Sequence, residues 1–244
     1  MGESHSTERR RLTDRHARVA TNGCDGTAGR RARPARVWPG ATVTPVIVVV
    51  AALKGGVGKT TTSVYLAALA ETKERAAVIV DADPQASAAD WLENSDDEQV
   101  RRIEIIEAPT DRLLSKALDR VGNDEVVIVD TPPGNERLLA KALERATVVV
   151  VPTRVGGVET PRVDALLDMV PARVPAGLVM CSARTVTRDY QDTVEGWIEA
   201  GVEVWGTVPE RVAIAAGPVG WLAPDGIEAY RSVWRRVQRA ARSV

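Results

Sequence analysis

The chain has 244 residues, 44% of them hydrophobic, with 32 Lys and Arg against 33 Asp and Glu and a formal charge of −1. That apolar share excludes wholesale disorder. The two cysteines, Cys24 and Cys181, exclude a disulfide framework or a cysteine-built zinc site, and no apolar run approaches the roughly 18 residues of a membrane-spanning helix.

Residues 1–42 show no period of 2 or 3.6 and almost no large aliphatic side chains, so they read as a basic, disordered extension. Residues 1–45 carry nine Arg and four acids, a formal +5, which leaves −6 for the remainder. Arginine outnumbers lysine 27 to 5 and Phe is absent, a skew of the kind coding bias produces. The placement of arginine is therefore more informative than its abundance. A loose tail and an arm for an anionic polymer are both open readings of this segment.

Residues 43–244 read as a single folded domain. Short β-branched runs alternate with longer amphipathic stretches, and the predicted strands are 46–52, 77–81, 103–107, 126–130, 147–151, 177–181 and 202–207. Several are apolar at nearly every position, as strands covered on both faces are. Helical periodicity falls near 60–72, 110–121, 135–145, 160–170, 188–200 and 226–242. The alternation predicts an α/β fold, a mostly parallel sheet with helices on both faces. Ligands of such sheets sit beyond the carboxyl ends of the strands, so chemistry-bearing motifs should follow strands.

They do. The first strand runs into Leu53-Lys54-Gly55-Gly56-Val57-Gly58-Lys59-Thr60-Thr61 and then a helix. Glycines let successive N–H groups turn toward phosphate oxygens, and the helix N-terminus adds its positive dipole. Lys59 is placed to neutralise β- and γ-phosphates and Thr60 to ligate Mg²⁺. A strict Walker loop has glycine five residues before Gly58; here that position is Leu53, and a second lysine, Lys54, opens the loop. Two later strands end in acids: Asp81-Ala82-Asp83-Pro84-Gln85 and Asp130-Thr131-Pro132-Pro133-Gly134. A carboxylate at the tip of an apolar strand needs a cation or donors. Hydrated Mg²⁺ beside a phosphate loop supplies the first; a helix cap or turn supplies the second, and both readings stand.

Residues 54–61, 81–85 and 130–134, in this order and spacing, resemble the deviant Walker A, A′ and B motifs of the ParA/MinD ATPase family. Val151-Pro152-Thr153 and the stretch from Val208-Pro209-Glu210-Arg211 to Gly220 add to the likeness, which covers residues 44–242. The run Asp83–Ser87 followed by Trp91 is most similar to small ParA partition ATPases. The resemblance implies a P-loop ATPase that binds ATP and Mg²⁺ and hydrolyses ATP slowly, as an ATP-dependent homodimer with a ParB-like centromere-binding partner. Lys54 then matches the signature lysine that reaches the partner's phosphates, and Gly55, Gly56, Val57, Gly58, Lys59, Thr60 and Thr61 match the phosphate cradle. Asp83 matches the acid that positions the attacking water, and Asp81 and Asp130 the acids that support Mg²⁺. Pro209 and Arg211 fall where the family contacts adenine. A cytoplasmic, nucleoid-associated location is implied in the same way.

The final helical stretch puts Ile227, Tyr230, Val233, Trp234 and Val237 on one face, with Arg231, Arg235, Arg236, Arg239 and Arg242 around the other. Residues 226–244 carry five Arg and one acid, Glu228. This is either a helix docked by its apolar face with solvated charges, or a surface for DNA phosphates, which ParA-like proteins bind non-specifically. A MinD-like membrane helix is the competing target; it needs large apolar residues free to enter lipid, and this face offers mainly Ala and Val with one Trp. A metabolic P-loop enzyme with a small-molecule substrate is a further alternative, without a visible substrate insertion.

Overall fold

A computed structural model describes residues 45–123, 125–156, 159–215 and 222–243. The expected extension over 1–42 and its boundary with the folded domain lie outside these. In chain order the strands are β1 (Val46–Val50), β2 (Ala76–Asp81), β3 (Glu104–Glu107), β4 (Glu125–Asp130), β5 (Val148–Thr153), β6 (Ala176–Ala183) and β7 (Val204–Pro209). The helices are α1 (Lys59–Ala70), α2 (Ser87–Asn94), α3 (Asp111–Leu118), α4 (Glu136–Glu144), α5 (Thr160–Met169), α6 (Arg188–Glu199), α7 (Val212–Ala215) and α8 (Pro224–Ala241).

The seven strands form one sheet in the order β3-β2-β4-β1-β5-β6-β7. Every pairing in it is parallel. Alternation within each strand divides the core in two. Val48, Val50, Ile79 and Ile128 face α1, α2 and α8, where Tyr65, Trp91, Tyr230 and Val233 pack on them. Ile47, Val49, Val78, Val80 and Val129 face α3 to α6, meeting Leu114, Leu138, Leu166 and Trp197. Strands buried on both faces carry β-branched residues throughout, because each side chain meets a helix on one side or the other.

All seven expected strands and six expected helices are present, with ends shifted by up to three residues. The expected set omitted α2, α7 and a 3₁₀ turn at Val100–Arg102. α2 follows Ala86 in a left-handed conformation (φ 50°) with no cap from a neighbouring side chain; its first turn is held by Asp81, six residues before it begins. β5 runs two residues beyond its expected end, through Pro152. The amide of Val149 donates toward β6 while the carbonyl of Val150 accepts from Ala51. By alternation the missing N–H of Pro152 faces the β1 side, where β1 has already turned into its loop, so no ladder bond is lost.

Helix starts are specified locally. Thr110, Asn135 and Thr187 accept from the amides of Leu113, Leu138 and Tyr190 and so cap α3, α4 and α6. Successive strands grow outward in one direction as far as β3, then cross β1 between β4 and β5. That reversal opens a crevice at the carboxyl end of β1.

Candidate functional site

The crevice is filled by the loop between β1 and α1. Gly56 and Gly58 hold φ of 74° and 104°, conformations that favour glycine. A Cβ at Gly58 would also sit 3.3 Å from the Cys181 sulfur. No side chain caps α1, so its first N–H groups are left for an anion. Lys59 is buried, and its ammonium donates to the Lys54 carbonyl at 3.0 Å, curling over the loop. Burial lowers its pKa, opposed by Asp130 and Asp83.

A cavity of about 410 Å³ opens above this loop. Gly55, Gly56, Gly58, Lys59, Thr60 and Thr61 line its floor, and Asp83 and Pro133 one wall. Val57 is the exception among the expected cradle residues. Its side chain is buried and lines a separate small void behind the loop, so only its backbone can serve a phosphate.

Thr60 and Asp130 come together as expected: the Thr60 hydroxyl donates to Asp130 Oδ2 at 2.8 Å. Ser63, one turn further along α1, donates to Oδ1 at 3.0 Å. Burial pushes the Asp130 carboxyl up to about 7 against these two hydrogen bonds. A hydroxyl and a carboxylate at the foot of a phosphate cradle suit a hard cation that keeps water and phosphate as its other ligands. The residues present thus fit Mg²⁺.

Asp81, expected beside Asp130 as a support for the cation, is also tied to the backbone. It lies directly opposite Asp130 in the β2–β4 register and is fully buried, but its Oδ1 accepts from the Asp83 amide at 3.0 Å. Its Oδ2 accepts from Ala88 at 3.0 Å and Ala89 at 3.2 Å. Oδ2 is engaged by the start of α2 and Oδ1 by the loop that leads to it, which makes Asp81 an anchor for that helix. Thr60 and Asp130 form the pair at the foot of the loop. Burial raises the Asp81 carboxyl, against three backbone hydrogen bonds. Asp83 does line the cavity, with Oδ1 accepting from the Gln85 amide at 2.9 Å.

Lys54 makes an ion pair within its own chain, with Glu159 at the start of α5. The lysine side chain is 45% exposed and the glutamate 9%. Glu159 occupies the helix-cap position yet its carboxylate makes no cap bond; it turns to Lys54 instead.

The far end of the cavity is reached by Pro209 and Arg211. Arg211 donates to Asp225 at 3.3 Å and to the Glu210 carbonyl at 3.0 Å, while the Glu210 carboxylate pairs with Arg184. Arg154, Cys181, Ser182 and Ile214 line this end as well, none of them expected. Ser182 has φ 51° at an irregularity in the β6–β7 pairing, which shows only in three dimensions. Burial pushes the Cys181 thiol up to about 11, so it is a neutral thiol.

Beneath the loop, Thr62 and Tyr230 share a 2.9 Å hydrogen bond. Tyr230 stacks on Tyr65 with ring centroids 4.9 Å apart, and Tyr65 accepts from the Ala223 amide at 3.0 Å. α1 and α8 are thereby joined. The buried face of α8 holds Tyr230, Val233, Trp234 and Val237, so these residues are spent on packing. Arg231, Arg235, Arg236, Arg239 and Arg242 are exposed. Arg231 pairs with Glu228 at 3.6 Å; among the described residues the other four have no carboxylate within ion-pair distance. Among the described residues no helix is long and apolar enough to cross a membrane.

A parallel sheet with such a loop at its central strand defines a phosphate-loop nucleotide-binding protein. The chain matches the CobQ/CobB/MinD/ParA nucleotide-binding domain over residues 48–219 and belongs to that family. It is 43% identical to the maintenance of carboxysome distribution protein A of Gloeobacter kilaueensis over 110 residues, 45% of this chain and 49% of that one. The match thus spans about half the length of that relative. It is 27% identical to the protein ParA of Rhizobium radiobacter over 168 residues, 65% of this chain and 75% of that one. Its fold is similar to a putative plasmid partition protein of Borrelia burgdorferi bound to AMPPNP, with TM-score 0.65 and 20% identity over 80% of this chain and 99% of that one. The septum site-determining protein MinD of Pyrococcus horikoshii, complexed with Mg-ADP, gives TM-score 0.65 and 17% identity over 80% of this chain and 97% of that one.

Proposed function

We propose that this chain is a Mg²⁺-dependent ATPase of the partition and positioning type, which dimerises on ATP, holds DNA non-specifically and hydrolyses ATP to ADP and phosphate. The observation that carries this reading is the convergence of Lys59, Thr60 and Asp83 on one cavity at the mouth of the central strand, with Asp130 hydrogen-bonded to Thr60 beneath it. Relatives named for ParA and for carboxysome distribution support it. The cargo class is then a plasmid, a chromosome or a protein cluster, moved with a ParB-like partner.

The residues divide the work. Lys59 exchanges the Lys54 carbonyl for phosphate oxygens, and the uncapped N–H groups of α1 hold the rest of the triphosphate. Bound Mg²⁺ would neutralise charge on the β- and γ-phosphates from Thr60 and Asp130. Asp83 orients the attacking water, which is most of what phosphoryl transfer asks of a protein. Lys54 leaves Glu159 to reach a partner's phosphates, adding a charge that one protomer lacks. Pro209 and Arg211 contact the base. The exposed arginines of α8 face DNA rather than lipid, because the apolar residues that would enter a membrane are packed on the core.

Nucleotide binding and hydrolysis by the wild type, Lys59→Ala and Asp83→Ala test the reading. Lys59→Ala should lose ATP affinity by at least a hundredfold, and Asp83→Ala should bind ATP but turn over at less than a tenth of the wild-type rate. Micromolar affinity retained by Lys59→Ala removes the phosphate assignment, and wild-type turnover by Asp83→Ala removes the role of that acid.

A further inference from the structure

The ion pair between Lys54 and Glu159 raises a question on the other side of the switch: what becomes of the glutamate when the lysine leaves. Glu159 is 7% exposed and its carboxylate does not cap α5. Removing Lys54 strips a nearly buried carboxylate of its cation, and an uncompensated buried charge is costly. On that count alone the lysine would stay where it is.

One other polar group in the neighbourhood stands out. Thr153, the last residue of β5, is 1% exposed, and its hydroxyl is buried without a hydrogen-bond partner among the described residues. Nearly all buried polar side chains find a partner, so an orphan calls for a reason. Thr153 lines the small void behind the phosphate loop together with Lys54 and Glu159. That void measures about 10 Å³, the least that a single water needs. Arg162 lines it too, and that residue has an interaction of its own.

We propose that Thr153 is a positioning residue for the ATP-bound state: its hydroxyl is the reserve donor that takes the Glu159 carboxylate, directly or through one water in the void, when Lys54 crosses to the partner. In the monomer the carboxylate holds the lysine and the hydroxyl goes without; in the dimer the carboxylate holds the hydroxyl. The orphaned donor is thus a cost carried by the resting state, which lowers the barrier to releasing the lysine. This rests on the trans role of Lys54 proposed above.

Sedimentation of the full chain with Mg²⁺ and AMPPNP tests it. Thr153→Val keeps the shape and deletes the donor, and it should weaken the dimer about tenfold or more while monomer affinity for the nucleotide changes less than twofold. Thr153→Ser should restore dimerisation to within about twofold of the wild type. Glu159→Gln removes the charge that needs a donor, so it should tighten the dimer and shrink the effect of adding Thr153→Val to below about twofold. Wild-type dimerisation by Thr153→Val, or an equal loss in the Glu159→Gln background, overturns the assignment and leaves the trans lysine intact. A wild type that stays monomeric with AMPPNP, or Lys54→Ala that dimerises as well as the wild type, overturns the trans lysine and this inference with it.

Discussion

Two carboxylates stand side by side at the ends of β2 and β4, and burial raises the pKa of both. Asp81 spends its oxygens on backbone amides, whereas Asp130 keeps two hydroxyls that a cation can join or displace. For the metal-free protein the sign of the pH dependence follows. Below about 4 both states hold these protons; between about 4 and about 7 the unfolded chain releases the Asp130 proton that the folded chain keeps. Stability therefore falls as pH rises through that window and levels above it, by at most about 4 kcal/mol for a shift of this size. Denaturant midpoints in chelator from pH 4 to 8 should show the fall, and Asp130→Asn should flatten most of it, Asp81 leaving a residue of the same sign. An unflattened curve would place the proton elsewhere. Saturating Mg²⁺ should reverse the trend, since the cation favours the ionised carboxylate.

The pairing of Thr60 with Asp130 was legible in the sequence, because a loop hydroxyl and a strand-end acid are both tied to local motifs. Ser63 was not: it needs the knowledge that β4 lies next to β1. Glu159 was hidden for the same reason, 105 positions from Lys54 and indistinguishable from an ordinary helix-starting acid. Asp81 shows how much a motif leaves unsaid. Its motif pointed to a cation and gave no sign that one oxygen also accepts from the first amides of a helix absent from the sequence reading.

Among the elements, the strands were readable because burial on both faces leaves nearly continuous β-branched runs, and the long helices because one face must be apolar. α8 satisfies that pattern, yet its seat depends on one glycine that periodicity does not single out. A Cβ at Gly226 would lie 2.6 Å from the Tyr65 ring, inside any allowed contact. In an exposed helix Gly→Ala stabilises by up to about 1 kcal/mol. Here overpacking should prevail, so Gly226→Ala should destabilise by about 1–3 kcal/mol and lower the melting temperature by roughly 2–4 °C for each. A melting point that rises or holds would mean that α8 sits off Tyr65.

At the scale of the molecule, charge is sorted: the chain as a whole is nearly neutral, while α8 presents a row of exposed arginines of which only Arg231 has a carboxylate within ion-pair distance among the described residues. Binding to a random duplex with AMPPNP should weaken steeply with salt, and Arg235→Glu with Arg239→Glu should reduce the logarithmic salt slope by about 2 per protomer. An unchanged slope would assign the DNA face to another surface. Anionic vesicles should retain none of the protein under the same conditions.

The Thr62–Tyr230 bond has a mechanical meaning. Thr62 is three residues from Lys59, the lysine proposed to grip phosphate, and Tyr230 is one residue from the first arginine of the outer row. Thr62 and Tyr230 share one hydrogen bond, and the stacked rings of Tyr65 and Tyr230 and the Tyr65–Ala223 bond tie the same two helices. Whatever tugs the start of α1 must drag α8 or break those ties, so under the proposed function nucleotide turnover and the hold on a polyanion share one axle.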